Sequence, residues 1–154
     1  MSVFYYDSSA LVKRYIAELG SGWVRRQTRR DAGHLGFTVV LSGPEIIAAV
    51  VRRARGGHLT QRDARRAVLS IRQDWRGLFF VVSVDQRIVN RAMDIAEGHG
   101  LRGYDAVHVA AALVIQHDQR ARGLPNLSVV SADHEQLTVA AAEGLAVEDP
   151  NVHR

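Results

Sequence analysis

The sequence predicts an α/β fold with a mainly parallel sheet, and three observations carry that reading. Short apolar runs alternate along the chain with longer segments of helical period. Gly and Pro residues punctuate the joints between them, as at Gly56-Gly57 and Leu124-Pro125-Asn126. Acidic residues stand where a run stops or a helix begins: Asp7 after Val3-Phe4-Tyr5-Tyr6, Glu45 after Thr38-Val39-Val40-Leu41, Asp105 ahead of Ala106-Val107-His108-Val109, and Asp133 after Leu127-Ser128-Val129-Val130. In open α/β sheets the ligand crevice lies outside the carboxyl ends of the strands, which is where such acids would gather.

Taken in order, a strand at residues 3–6 leads into a helix at 9–17, and Ser21 is placed to cap a second helix reaching residue 30. Gly33 and Gly36 bracket the turn into a strand at 37–41. Pro44 suits the first turn of a helix ending near Arg55, because its missing N–H has no partner there in any case. Gly56-Gly57 stops that helix, and Thr60 with Asp63 reads as a capping pair for the next, to about Arg76. A strand at 79–84 precedes a helix at 86–97 closed by Gly98 and Gly100. The helix at 104–119 is apolar on nearly every side and is therefore a buried central element. A strand at 127–130, a helix capped by Asp133 with Gln136 and running to Glu143, and a short strand near Ala146-Val147 complete the pattern.

With 154 residues, 47% of them hydrophobic and 23% charged, the whole chain, 1–154, reads as one ordered domain without repeat or linker. The absence of cysteine excludes disulfides, thiolate metal sites and cysteine nucleophiles, so any metal must be held by oxygen or histidine. No apolar run approaches the ~20 residues of a membrane helix and the first residues lack a signal-peptide pattern, so a cytoplasmic location without membrane attachment is expected. The net charge is +4, with arginines clustered at Arg25, Arg26, Arg29 and Arg30 and again from Arg52 to Arg76. A basic rim around an acidic pocket would suit a polyanion whose scissile phosphate meets a metal.

Each acid alone is explained by helix capping or by the helix dipole. Their joint placement is not, because converging carboxylates repel unless a cation joins them. Asp105 opens an apolar helix, so its carboxylate is expected to be buried and to need a partner. His108 lies one turn on, where it is either a hydrogen-bonded core residue or, with Asp105, a metal ligand. Ser9 is placed to orient Asp7 or a metal-bound water.

Four segments together resemble the PIN-domain family, and within it VapC-type toxins of bacterial toxin–antitoxin pairs. They are Asp7-Ser8-Ser9-Ala10-Leu11-Val12-Lys13, an isolated Glu45 at a helix start, Leu101-Arg102-Gly103-Tyr104-Asp105-Ala106-Val107-His108-Val109-Ala110, and Ser131-Ala132-Asp133 followed by Ala140-Ala141-Ala142-Glu143-Gly144-Leu145. The resemblance spans nearly the whole chain, with Gly43-Pro44 and Gly103-Tyr104 departing from the family's pattern ahead of two of the acids. It implies a three-layer α/β/α PIN-like domain and a Mg²⁺- or Mn²⁺-dependent endoribonuclease with Asp7, Glu45, Asp105 and Asp133 as site residues, Asp7 and Asp105 among them as metal ligands. Ser9 matches the family's small polar residue beside the first Asp, and Ser131 stands where the family often has Thr. A homodimer, an RNA substrate and a cognate antitoxin are the implied partners.

Hard oxygen donors select Mg²⁺ or Mn²⁺, and a metal-activated water attacking phosphorus in line is the expected chemistry. Single-stranded or looped RNA is the expected substrate form. An antitoxin is expected to lay a helix in the groove between the helices at 9–17 and 44–55 and to place a cation among the acids. The competing readings are a catalytically silent PIN-like module that binds RNA or protein, and a DNA-directed nuclease of the same fold.

Overall fold

The computed structural model describes residues 1–153. Among them it has five strands and seven α-helices, in the order β1 (Val3–Tyr6), α1 (Ser8–Tyr15), α2 (Ser21–Gln27), β2 (Leu35–Val39), α3 (Ser42–Arg55), α4 (Gln61–Asp74), β3 (Phe80–Val82), α5 (Gln86–His99), α6 (Gly103–Ala121), β4 (Leu127–Val130), α7 (His134–Ala142) and β5 (Ala146–Glu148), with a 3-10 turn at Pro150–Val152. The sheet order is β3-β2-β1-β4-β5 and every pairing is parallel. The chain builds outward from β1 to β2 and β3, then returns to β4 and β5 on the other side. The reversal falls between β1 and β4, and at such a switch point the connections leave on opposite faces and open a crevice.

Alternation along the strands divides the core into two halves. Val3 and Tyr5 of β1 pack with Ile88, Ile95, Val109, Val129 and Leu137 on the side covered by α5, α6 and α7. Phe4 and Tyr6 point the other way, toward Leu11, Ile46, Val50 and Ile71 of α1, α3 and α4. The sheet is thus covered by helices on both faces, the three-layer arrangement expected. Ala110, Ala111 and Ala112 of α6 are fully buried, and their small side chains let this helix lie close to the sheet. No helix among the described residues is long and apolar enough to cross a membrane.

Every predicted element is present, with shifted boundaries. β2 covers Leu35–Val39 rather than 37–41, so Gly36 sits inside the strand opposite Phe4 instead of in a turn. A Cβ there would come within 3.2 Å of Phe79 and 3.3 Å of Tyr6, so the rings packed over the strand explain the glycine. Consequently Leu41 precedes α3, which starts at Ser42 and puts Pro44 and Glu45 at its third and fourth positions.

Ser21 does not cap α2. The capping position is Gly20 at φ 83°, where a Cβ would stand 2.4 Å from the Pro150 carbonyl oxygen. The Ser21 hydroxyl instead donates to Ile16 O and accepts from Glu18 N–H, closing the turn between α1 and α2. α2 ends at Gln27 rather than residue 30, with the buried Thr28 hydroxyl donating to Val24 O at 2.7 Å. β3 is shorter than predicted, at Phe80–Val82, and α5 continues through Gly98 to His99 before Gly100 turns left-handed at φ 67°.

Candidate active site

The backbone at the ends of β1 and β4 fixes the site. Asp7 leaves β1 in extended conformation and caps α1, its Oδ1 accepting the Ala10 N–H at 2.9 Å. The Ser9 hydroxyl lies 2.8 and 2.9 Å from the two Asp7 oxygens and donates to them. Ser131, fully buried at the end of β4, donates to Asp7 Oδ2 at 2.7 Å and accepts the Asp133 N–H at 3.0 Å. Ser9 in turn accepts the Ala132 N–H at 2.8 Å. Asp7 therefore sits in a hydrogen-bonded cradle that staples the two central strands together. Burial pushes its carboxyl pKa up, and the charge of His108 and the bonds from Ser131, Ala10 and Ser9 offset only part of that rise.

Asp133 caps α7 by accepting the Gln136 N–H at 3.1 Å. The predicted capping box is half formed, because the buried Gln136 amide has no partner for either of its polar atoms. Asp105 departs from expectation: it is half-buried rather than enclosed, and its carboxylate makes no hydrogen bond among the described residues. Its pKa is raised, first by burial and next by the negative charge of Asp133, with Asp7 adding to the effect and His108 and Arg102 opposing it. Asp105 thus faces the negative charge of both other aspartates.

Glu45 takes a different position. Its Oε2 accepts the Ser8 hydroxyl, while Oε1 is buried without a hydrogen-bond partner, 3.4 Å from His108 Nε2. Burial pushes its pKa up, but the contacts with His108 and Ser8 outweigh that and hold it below the ordinary value. His108 belongs to Glu45 rather than to Asp105, and its Nδ1 is 2.8 Å from the fully buried Tyr5 hydroxyl. Tyr5, His108, Ser8 and Glu45 form a polar chain running from the core to the cavity. Ser8 and Tyr5 carried no chemical signal in the sequence, because the chain forms only when residues 5, 8, 45 and 108 meet.

One cavity of about 610 Å³ collects Asp7, Ser9, Glu45, Asp105 and Asp133, with His108 on its wall and Ser131 beneath Asp7. From the acids it extends between α1 and α3 over Val12, Leu41, Pro44, Ala48 and Ala49, and Arg52 and Arg53 also line it. The expected basic rim is divided. Arg25, Arg26, Arg29, Arg30 and Arg66 line a different cleft, at the other end of α1.

Among the described residues no three His, Asp or Glu side chains stand close enough together to enclose an ion. The donors fit a hydrated hard cation nonetheless. They are oxygens, the Asp105 carboxylate and Glu45 Oε1 have lone pairs free, and Mg²⁺ characteristically keeps several waters and uses one or two carboxylates.

No protein-family model matches the chain. Ribonuclease VapC45 and Ribonuclease VapC49, from two strains of Mycobacterium tuberculosis, are each 31% identical to it over 150 residues, covering 96% of this chain and 95% of the relative. Among solved structures, FitAcB from Neisseria gonorrhoeae superposes with a TM-score of 0.65 at 16% identity, covering 98% of this chain and 99% of that one. Mycobacterium tuberculosis VapC20, described as a Sarcin-Ricin loop cleaving toxin, gives a TM-score of 0.61 at 17% identity, with 93% and 96% covered. At these identities the structural likeness speaks for the fold.

Proposed function

The chain belongs to the VapC ribonuclease family, and from that premise we propose that it is a Mg²⁺- or Mn²⁺-dependent endoribonuclease acting as the toxin of a toxin–antitoxin pair. The observation that carries the catalytic reading is the convergence of Asp7, Glu45, Asp105 and Asp133 on one cavity at the switch point of a parallel sheet.

Asp7 and Asp105 would hold the cation. Bound there, a divalent ion supplies charge neutralisation at the phosphate and acidifies a water. Asp7 is held by Ser9, Ser131 and the α1 N-terminus, so it would offer a bound cation a fixed carboxylate. Asp105, open to the cavity and without a hydrogen bond among the described residues, would supply the second carboxylate. Glu45 is held ionised by Ser8 and His108, so it is competent to accept a proton from the attacking water and orient it toward phosphorus. The presence of all four acids on one cavity speaks against a silent module.

The antitoxin reading is supported by the shape of the same cavity. Its apolar floor between α1 and α3 suits the nonpolar face of a partner helix, and the acids at its end suit an Arg or Lys from that partner. A homodimer completes the proposal, supported by apolar surface at Val51, Val68 and the 69%-exposed Leu69 on α3 and α4. Incubating purified protein with total RNA in Mg²⁺, in Mn²⁺ and in excess chelator tests the reaction. Internal cleavage in metal alone is expected, and equal cleavage in chelator would overturn the metal-dependent reading.

A further inference from the structure

The largest of the described clefts, about 760 Å³, lies away from the acids between the end of α1, α2 and α4. Arg14, Arg25, Arg26, Arg30 and Arg66 reach it from three helices and the turn after α2. Two carboxylates, Asp63 and Asp74, share the wall, and Asp74 is already engaged by Arg14 Nε at 2.9 Å and the Tyr15 hydroxyl at 3.2 Å. Arg14 is fixed further by donating to Thr28 Oγ1 at 2.9 Å.

Two of the other guanidiniums are held in place without being neutralised. Arg25 Nε donates to the Arg14 carbonyl at 3.0 Å and Arg30 Nη1 to the Gly77 carbonyl at 3.3 Å, contacts that leave their other N–H groups free. Among the described residues Arg25, Arg26, Arg30 and Arg66 form no ion pair, whereas Arg29, which also lines the cleft, is paired with Asp31, and Arg53, Arg87 and Arg91 are paired elsewhere. Ordinary solvated helix faces diverge into water. Here α2 and α4 turn like charges toward one concavity, which a polyanion would relieve. Guanidinium forks match phosphate oxygens in pairs.

We infer that this cleft binds backbone phosphates of the same RNA strand whose scissile bond lies at the acids, an inference that rests on the ribonuclease reading. α1 links the two places: Ser8 and Ser9 line the acidic cavity and Arg14 and Tyr15 the basic cleft. Eight helical residues span about 12 Å. That distance corresponds to roughly three or four nucleotides at the stacked spacing of about 3.4 Å per strand. Cleavage would then depend on substrate length, because only a strand reaching past α1 engages both sites.

The test separates binding from chemistry. Anisotropy of a labelled twelve-nucleotide RNA, measured in chelator across a salt series, compares the wild type with the R26A/R30A/R66A triple variant. Loss of three phosphate contacts is expected to lower the slope of log K against log salt by about 2. In Mn²⁺ the variant should be slowed on the long RNA through KM and cleave a tetranucleotide at the wild-type rate. Phenylglyoxal labelling of the wild type gives a readout that needs no substitution: the long RNA should protect Arg26 and Arg66, and the tetranucleotide should not. Unchanged slope and absent protection would overturn the inference even if cleavage is robust. Protection by an acidic peptide but not by RNA would overturn it in favour of a protein occupant. If no RNA is cleaved at all, the catalytic reading fails while the binding arm still decides the cleft.

Discussion

Ser131, the last residue before the β4 end turns toward α7, donates to Asp7 Oδ2 at 2.7 Å across the crevice between the two central strands. The same hydroxyl accepts the Asp133 N–H, so one buried oxygen positions two of the four acids. Ser131→Ala should therefore cost about 1–3 kcal/mol, the range for leaving a buried polar group unpaired. Urea denaturation measures this. Ser131→Thr, which keeps the hydroxyl, should recover most of the loss if the methyl is accommodated.

A second expectation concerns pH. The Asp105 pKa is raised above its ordinary value of 3.8 by burial and by Asp133, so the fold favours its protonated form. Its contribution to stability is fully present below pH 3.8 and is lost as pH rises through the elevated folded value. Asp105→Asn should accordingly leave metal-free stability at pH 7 unchanged or higher, and the difference from wild type should vanish in acid. Thermal melts from pH 3 to pH 7 read the sign. A lower melting temperature at pH 7 would mark Asp105 as a structural acceptor.

Metal linkage gives a third. A cation that binds the native state alone adds stability as RT ln(1 + [L]/Kd), about 2.7 kcal/mol at a concentration 100 times Kd. Mn²⁺ should raise the melting temperature of the wild type, and Asp105→Asn should diminish the increment.

The buried pair of Tyr5 and His108 supplies a fourth. Tyr5→Phe would leave His108 Nδ1 without its partner at 2.8 Å and should destabilise the fold by about 1–3 kcal/mol, measured by urea denaturation. The tyrosine is fully buried and its ring packs edge-on to the imidazole at 6.0 Å between centroids, so the ring contact survives the substitution. A neutral result would mean that the hydroxyl is not a partner of His108.

Much of the fold was legible because strands and helices carry their period locally. The apolar runs of β1 and β4 and the near-continuous apolar surface of α6 identify themselves. The acids were legible for a related reason: each follows a strand end or opens a helix, so the sheet topology brings them to one edge. What was hidden depends on distant contacts. Gly36 reads as a turn until the rings of Tyr6 and Phe79 cover it, and Ser21 reads as a cap until Pro150 closes on Gly20. His108 meets Glu45 where β1 brings Tyr5, and the start of α1 brings Ser8, up to them. The arginines of α2 announce charge, but nothing local tells on which side of α1 they fall.

In the proposed reaction the carboxylate charge at Asp7, and not its capping role, drives RNA cleavage. Asparagine caps a helix about as well as aspartate, so Asp7→Asn can keep the bond to the Ala10 N–H while removing the charge. Single-turnover cleavage of RNA in Mn²⁺ by wild type and Asp7→Asn, each shown to be folded by circular dichroism, is the most direct measurement. A rate loss of at least about 10²-fold is expected, the scale of removing one group that stabilises transition-state charge. A folded Asp7→Asn protein that cleaves at the wild-type rate would contradict it.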